Sequence, residues 1–204
     1  MLGTGIDYTH PVLSGKVVWC VDAADYPWTI AGNQLRYCID RNGHGTHVAG
    51  IIAAALDGVG VAGVAPSVTL YAIKVLRNSG SGYVSDIAGG IYYAVAGPDG
   101  IVGTWDDAEV LSMSLGGPVN DPLLRDAAYW AYQNGAIVVA ATSNEGDGDP
   151  TTDEVSYPAR YPWVIAVAAV DINGDSPWWS SEGPRGGCSG AERRCAQHLS
   201  AWRL

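Results

Sequence analysis

A histidine set between two glycines is the residue of this chain best suited to chemistry. The run Asn42-Gly43-His44-Gly45-Thr46-His47-Val48-Ala49-Gly50 leads into small and apolar residues, with no proline or charge from Val48 to Leu56. Such a run predicts a loop entering a buried helix, with His44 in the first turn. The flanking glycines let backbone or substrate approach the imidazole. Held by rigid backbone, His44 could serve as a general base. A histidine merely packed at a helix start is the competing reading, and for an isolated histidine it is the commoner one.

The elements that must position His44 alternate along the chain. Lys16–Ala23 is rich in β-branched residues and predicts a strand, and the polar stretch from Tyr26 to Asp40 predicts a loop or hairpin. Strands are expected over Val68–Leu76, Ala108–Ser114, Ala136–Ala141 and Trp163–Asp171, with helices over Val84–Ala96 and Pro122–Asn134. This order implies a parallel sheet covered by helices, with ligands at the carboxyl ends of its strands.

Composition narrows the choice of partner. At 204 residues, with 48% hydrophobic and 16% charged residues, the chain can form one globular domain with a real core. A net charge of -10, with Lys16 and Lys74 the only lysines, argues against nucleic acid, whose phosphates need clustered cations. No apolar run reaches the length of a membrane span, and no signal peptide opens the chain. Cys20 and Cys38 flank a polar loop and could pair in an oxidising compartment or stay two buried thiols. None of the cysteine spacings resembles a zinc site.

The His44 run resembles the histidine motif of the subtilisin-like serine proteases (subtilases, peptidase S8). Thr4 to Pro11, Met113-Ser114-Leu115-Gly116-Gly117, Ala141-Thr142-Ser143-Asn144-Glu145-Gly146 and Ser180-Ser181-Glu182-Gly183-Pro184 agree with that family in the same order. The resemblance implies a three-layer α/β fold, its sheet mostly parallel with helices on both faces, here incomplete at both ends. It also implies a serine endopeptidase, with His44 as general base and Asn144 as donor to the oxyanion. Gly80, Gly82, Ser114, Leu115 and Gly116 take the substrate-binding positions, where backbone groups pair with an extended peptide as added strands. A turn or cap role for Asn144 and strand-end packing for Leu115 are the alternatives. The glycine-spaced loop from Asp57 to Pro66 matches one that wraps calcium in many subtilases, with Asp57 as its side-chain ligand. Val12 stands where the family has a further carboxylate, so a plain turn competes with structural calcium. No cofactor is required for the chemistry. The family further implies a polypeptide substrate, a monomer and an extracellular, secreted location, with neither nucleic acid nor membrane as partner.

The chain departs from the family at two places. Gly3 occupies the position of the catalytic aspartate, and Asp7, four residues later and beyond the turn, is no substitute. Residues 1–184 are read as a partial peptidase domain. Residues 185–204, with four of the nine arginines and no helical or strand period, are read as a disordered tail outside it. This tail replaces the segment where subtilases carry Gly-Thr-Ser-Met-Ala and the nucleophilic serine. A shifted reading frame or a basic interaction tail would account for it. Without serine and aspartate a triad retains only slight catalysis. The expectation is a truncated endopeptidase that is inactive as written. The alternative is a non-catalytic, peptide-binding pseudoenzyme.

Overall fold

The computed structural model describes residues 1–24, 28–149 and 151–183, and the backbone of Gln197–His198. These fall into two compact units, one of residues 1–111 with 134–136, the other of residues 112–133 with those from 137 onward.

In the first unit the strands are β1 (Leu2–Gly3), β2 (Val17–Asp22), β3 (Thr29–Gly32) and β4 (Leu70–Lys74), with helices α1 (His44–Ala53) and α2 (Val84–Ala96). β4 lies between β1 and β2 and is parallel to both, while β3 runs antiparallel to β2 as a hairpin. Apolar, β-branched runs suit such strands because they are covered on both faces. The buried Cys20 and Cys38 form a disulfide, their Cα atoms 6.1 Å apart, which ties β2 to the segment ahead of α1. Of the two cysteine readings, pairing is the one observed.

α1 buries Gly45, Ala49 and Ala53, a stripe of small residues four apart. Ala49 and Ala53 lie in a core cluster with Ile6 and Leu13, against which the half-buried Val48 and Ile52 pack. The helix stops before the apolar run does. The amides of Val64, Ala65 and Gly63 donate to the carbonyls of Ile51, Ile52 and Ala54, at 2.9, 2.8 and 3.0 Å, and so satisfy the helix end. α2 lies close over β4 because Gly90 leaves room for Val75 and Ile73.

The second unit contains the end of β5 (Val110–Met113), α3 (Pro122–Gln133), β6 (Ile137–Ala141), β7 (Ile165–Val167) and β8 (Ala169–Val170). β6 and β7 are parallel, and α3 buries Leu124, Ala127, Ala128 and Ala131 on one face. The single strand expected over Trp163–Asp171 is in fact two. β7 pairs with β6, whereas the Ala169 amide turns to the Ser180 hydroxyl at 3.1 Å and β8 pairs with β9 (Gln197–His198). The expected tail at 185–204 lies outside the described residues, apart from the backbone of β9. Within each unit the strands pair mostly in parallel, with helices packed beside them, as the alternation of elements predicts.

Candidate active site

His44 is the first residue of α1, following Gly43, whose φ of 99° is a left-handed conformation that suits glycine. The helix start is held by Asp40. Its Oδ1 accepts from the amides of Asn42 and Gly43 at 2.9 and 3.0 Å, and its Oδ2 from the amide and hydroxyl of Thr46, both at 2.8 Å. Burial raises the Asp40 carboxyl, but the hydrogen bonds from Thr46, Asn42 and Gly43 together outweigh it and hold the group below the usual carboxylate range. Asn42 Oδ1 accepts from the His44 amide at 3.2 Å. The loop and first turn are therefore fixed, while the His44 side chain is exposed and its imidazole has no hydrogen-bond partner among the described residues. Sequence reading missed Asp40, whose only signal was its place four residues before the histidine.

Gly3 ends β1 and is buried. The residues that follow it are tied to the first turn of α1. The Gly45 amide donates to Thr4 Oγ1 at 2.9 Å, and the Asp7 amide to Thr46 Oγ1 at 2.9 Å. A Cβ at Gly3 would meet only the Met1 Cε, at 3.6 Å, so a side chain has room to leave the backbone there. The Asp7 carboxylate closes its own turn, accepting from the Thr9 amide and hydroxyl at 2.9 and 2.6 Å. That turn commits its Oδ1 away from His44.

Gly45 is the tightest point of this contact, since a Cβ there would collide with the carbonyl oxygen of Gly5. Gly45→Ala is expected to destabilise the protein by about 2 kcal/mol, despite the better helix propensity of alanine. Urea unfolding checks this as a lower midpoint at an unchanged slope.

The same loop reaches the turn that carries Gly80 and Gly82. Asn42 Nδ2 donates to the Asn78 carbonyl at 2.9 Å. Gly80 has a φ of 86°, and a Cβ at Gly82 would collide with the Val75 carbonyl oxygen. Both glycines are thus required by the backbone itself.

In the second unit, Ser114, Leu115 and Gly116 follow directly after β5, the first two half-buried and Gly116 exposed. Gly117 and Tyr157 exchange backbone hydrogen bonds of 3.0 and 2.9 Å. A Cβ at Gly116 would sit 3.0 Å from the Ser156 Cβ. The Ser156 amide donates to the Thr142 carbonyl at 3.0 Å, which links this segment to the end of β6 and to Asn144. Asn144 is exposed, and its amide has no hydrogen-bond partner among the described residues. The loop around it is fixed from behind: the Glu145 amide donates to Ser181 Oγ at 2.9 Å and the Gly146 amide to the Trp179 carbonyl at 3.1 Å. Ser181 is fully buried, a supporting role that its sequence did not disclose.

Ser143, just ahead of Asn144, has a φ of 104°, a conformation strained for any residue with a Cβ. Ser143→Gly is expected to stabilise the protein by about 1 kcal/mol. A rise in the urea midpoint is the check.

The Subtilase family model matches residues 1–193. The chain belongs to the subtilase family. It is 43% identical over 173 residues to the major intracellular serine protease of Bacillus subtilis (strain 168), an alignment covering 84% of this chain and 50% of the relative. It is 48% identical over 147 residues to subtilisin DY of Bacillus licheniformis, covering 72% and 50% of the two chains. Among solved structures it is similar to sphericase, with a TM-score of 0.73 and 37% identity over 89% of this chain and 57% of that one. This subtilase spans about half the length of those curated relatives.

The calcium loop of the family is only partly reproduced in this subtilase. Asp57 is exposed, and its Oδ1 accepts from the Val59 amide at 3.0 Å, forming a turn. Val12 offers no side-chain oxygen, and its carbonyl accepts from the Ala55 amide at 3.0 Å. Among the described residues no three His, Cys, Asp or Glu side chains converge. Calcium takes six to eight oxygens, several of them charged. With Asp57 as its one carboxylate, the loop would have to supply most of those oxygens from backbone carbonyls and water.

Proposed function

We propose that this subtilase chain is part of a serine endopeptidase that hydrolyses peptide bonds in polypeptides. The observation that carries this reading is the exposed imidazole of His44, without a hydrogen-bond partner among the described residues, on a loop held by Asp40 and Asn42. In the reaction His44 removes the proton of a serine hydroxyl as the oxygen attacks the substrate carbonyl, then returns that proton to the leaving amine. The Asn144 amide donates to the oxyanion of the tetrahedral intermediate. The peptide backbone pairs with the segments that carry Gly80 and Gly82 and with Ser114, Leu115 and Gly116. No cofactor takes part, and the working unit is a monomer. The Cys20–Cys38 disulfide supports action outside the cytosol, although two relatives are by name intracellular.

These 204 residues hold neither a carboxylate at Gly3 nor a Gly-Thr-Ser-Met-Ala segment. We therefore expect the chain by itself to bind peptides without cleaving them at a rate typical of the family. The missing carboxylate at Gly3 also supports the pseudoenzyme reading. The test is hydrolysis of a chromogenic peptide by the pure 204-residue chain beside its His44→Ala variant. No difference between the two is expected. Turnover abolished by His44→Ala would mean that the chain supplies its own nucleophile.

A further inference from the structure

A cavity of about 580 Å³ opens beside the turn that leads to Gly80. Arg36, Arg41, Lys74 and Arg77 line it, and Asp22 is the only carboxylate of its lining among the described residues. Four of the chain's 11 lysines and arginines thus face one cavity in a chain whose net charge is -10. Two of the four are tied to neighbours. Lys74 Nζ donates to the carbonyls of Thr4 and Leu76 at 2.5 and 3.0 Å and to Asn78 Oδ1 at 3.3 Å. Arg77 lies over the Tyr83 ring at 4.3 Å and 3.9 Å from the Asp86 carboxylate. The other two are available. Arg36 is exposed and bonds only to the neutral Gln34 and Tyr37. Arg41 is exposed, with no hydrogen-bond or ion-pair partner among the described residues.

The cavity adjoins the presented histidine. Arg41 and Asn42 are consecutive, and the Asn42 side chain holds the Asn78 carbonyl, two residues before Gly80. Asn78 and Ser79, which line the cavity, immediately precede Gly80, so a peptide lying along Gly80 would run beside it. Guanidinium groups match a carboxylate in shape as well as charge. We propose that the cavity is a specificity subsite for an acidic side chain, glutamate or aspartate, of the bound polypeptide. The inference rests on the peptide-binding reading above and adds the substrate's chemistry to it. The chain's overall charge repels an acidic peptide, so a preference for one must arise locally, and salt must weaken it.

The experiment uses the 204-residue chain and fluorescent peptides that differ only by Glu or Gln at one position, moved along an otherwise neutral sequence. Anisotropy titrations are run at about 20 mM and about 300 mM salt, which changes the screening length severalfold. At one position the Glu peptide is expected to bind about tenfold tighter than its Gln partner at low salt. That ratio falls at high salt and approaches one in the Arg36→Gln, Arg41→Gln double variant, whose sites are exposed. A ratio of one at every position, or a ratio unchanged in the double variant, would overturn the proposal. Failure of every peptide to bind, Gln peptides included, would overturn the peptide-binding reading and the subsite with it.

Discussion

Gly3→Asp alone is expected to leave the 204-residue chain without measurable peptide hydrolysis. In a chain extended by a family-like Gly-Thr-Ser-Met-Ala segment and its following helix, the same change is expected to raise kcat by about 10⁴. That scale is taken from known triads, including subtilisin itself, where loss of the aspartate alone costs about 3 × 10⁴ in kcat. The physical reason is the imidazole, which lacks a hydrogen-bond partner among the described residues. Nothing there selects its tautomer or stabilises the imidazolium formed as serine attacks. The room beyond Gly3, where a new Cβ would meet only Met1 Cε at 3.6 Å, allows a carboxylate to be added. Asn144 cannot compensate, because an oxyanion donor acts only once an attack has begun. Initial rates on a chromogenic peptide separate the effects. Equal rates for the extended chain with and without Gly3→Asp would contradict the assignment of Gly3 to the aspartate position.

Asp40→Ala is expected to lower stability by about 3 kcal/mol at neutral pH, the larger of the two losses argued for the His44 loop. The change removes one carboxylate that accepts from three backbone amides and one hydroxyl. A lost helix cap alone costs up to about 2 kcal/mol, and charge-assisted hydrogen bonds add to it. Because the folded Asp40 carboxyl lies below its ordinary value, its contribution is fully present above the unfolded value near about 4. The contribution is lost as the pH falls through the lower, folded value. Urea midpoints measured from neutral to acid pH check both points. Asp40→Asn should flatten the acid decline, and a decline as steep as in the unchanged chain would assign it to other carboxylates.

Much of this arrangement was legible in the sequence. α2 coincides with the span that its apolar spacing predicts, and His44 stands at the start of a helix because glycines and an apolar run bracket it. The break between β7 and β8 was not legible. Val164 to Val170 is continuously apolar, and the change of partner depends on Ser180, far along the chain. Asp40 and Ser181 were hidden for a related reason. A lone aspartate in a polar loop or a serine near a turn has the same pattern whether it faces water or holds several amides. The strain at Ser143 leaves no trace in residue type, because serine is not the residue that such a φ favours. The cationic cavity draws on positions 36, 41, 74 and 77, and only the fold gathers them.

The central claim is that His44 is the general base of a serine-peptidase site. Its most direct test is kcat for the extended Gly3→Asp chain before and after His44→Ala, with folding checked by the urea midpoint. The expected fall is about 10⁶, the scale known from removal of the triad histidine in subtilisin. Turnover that survives His44→Ala at a comparable rate in a folded protein would contradict the claim.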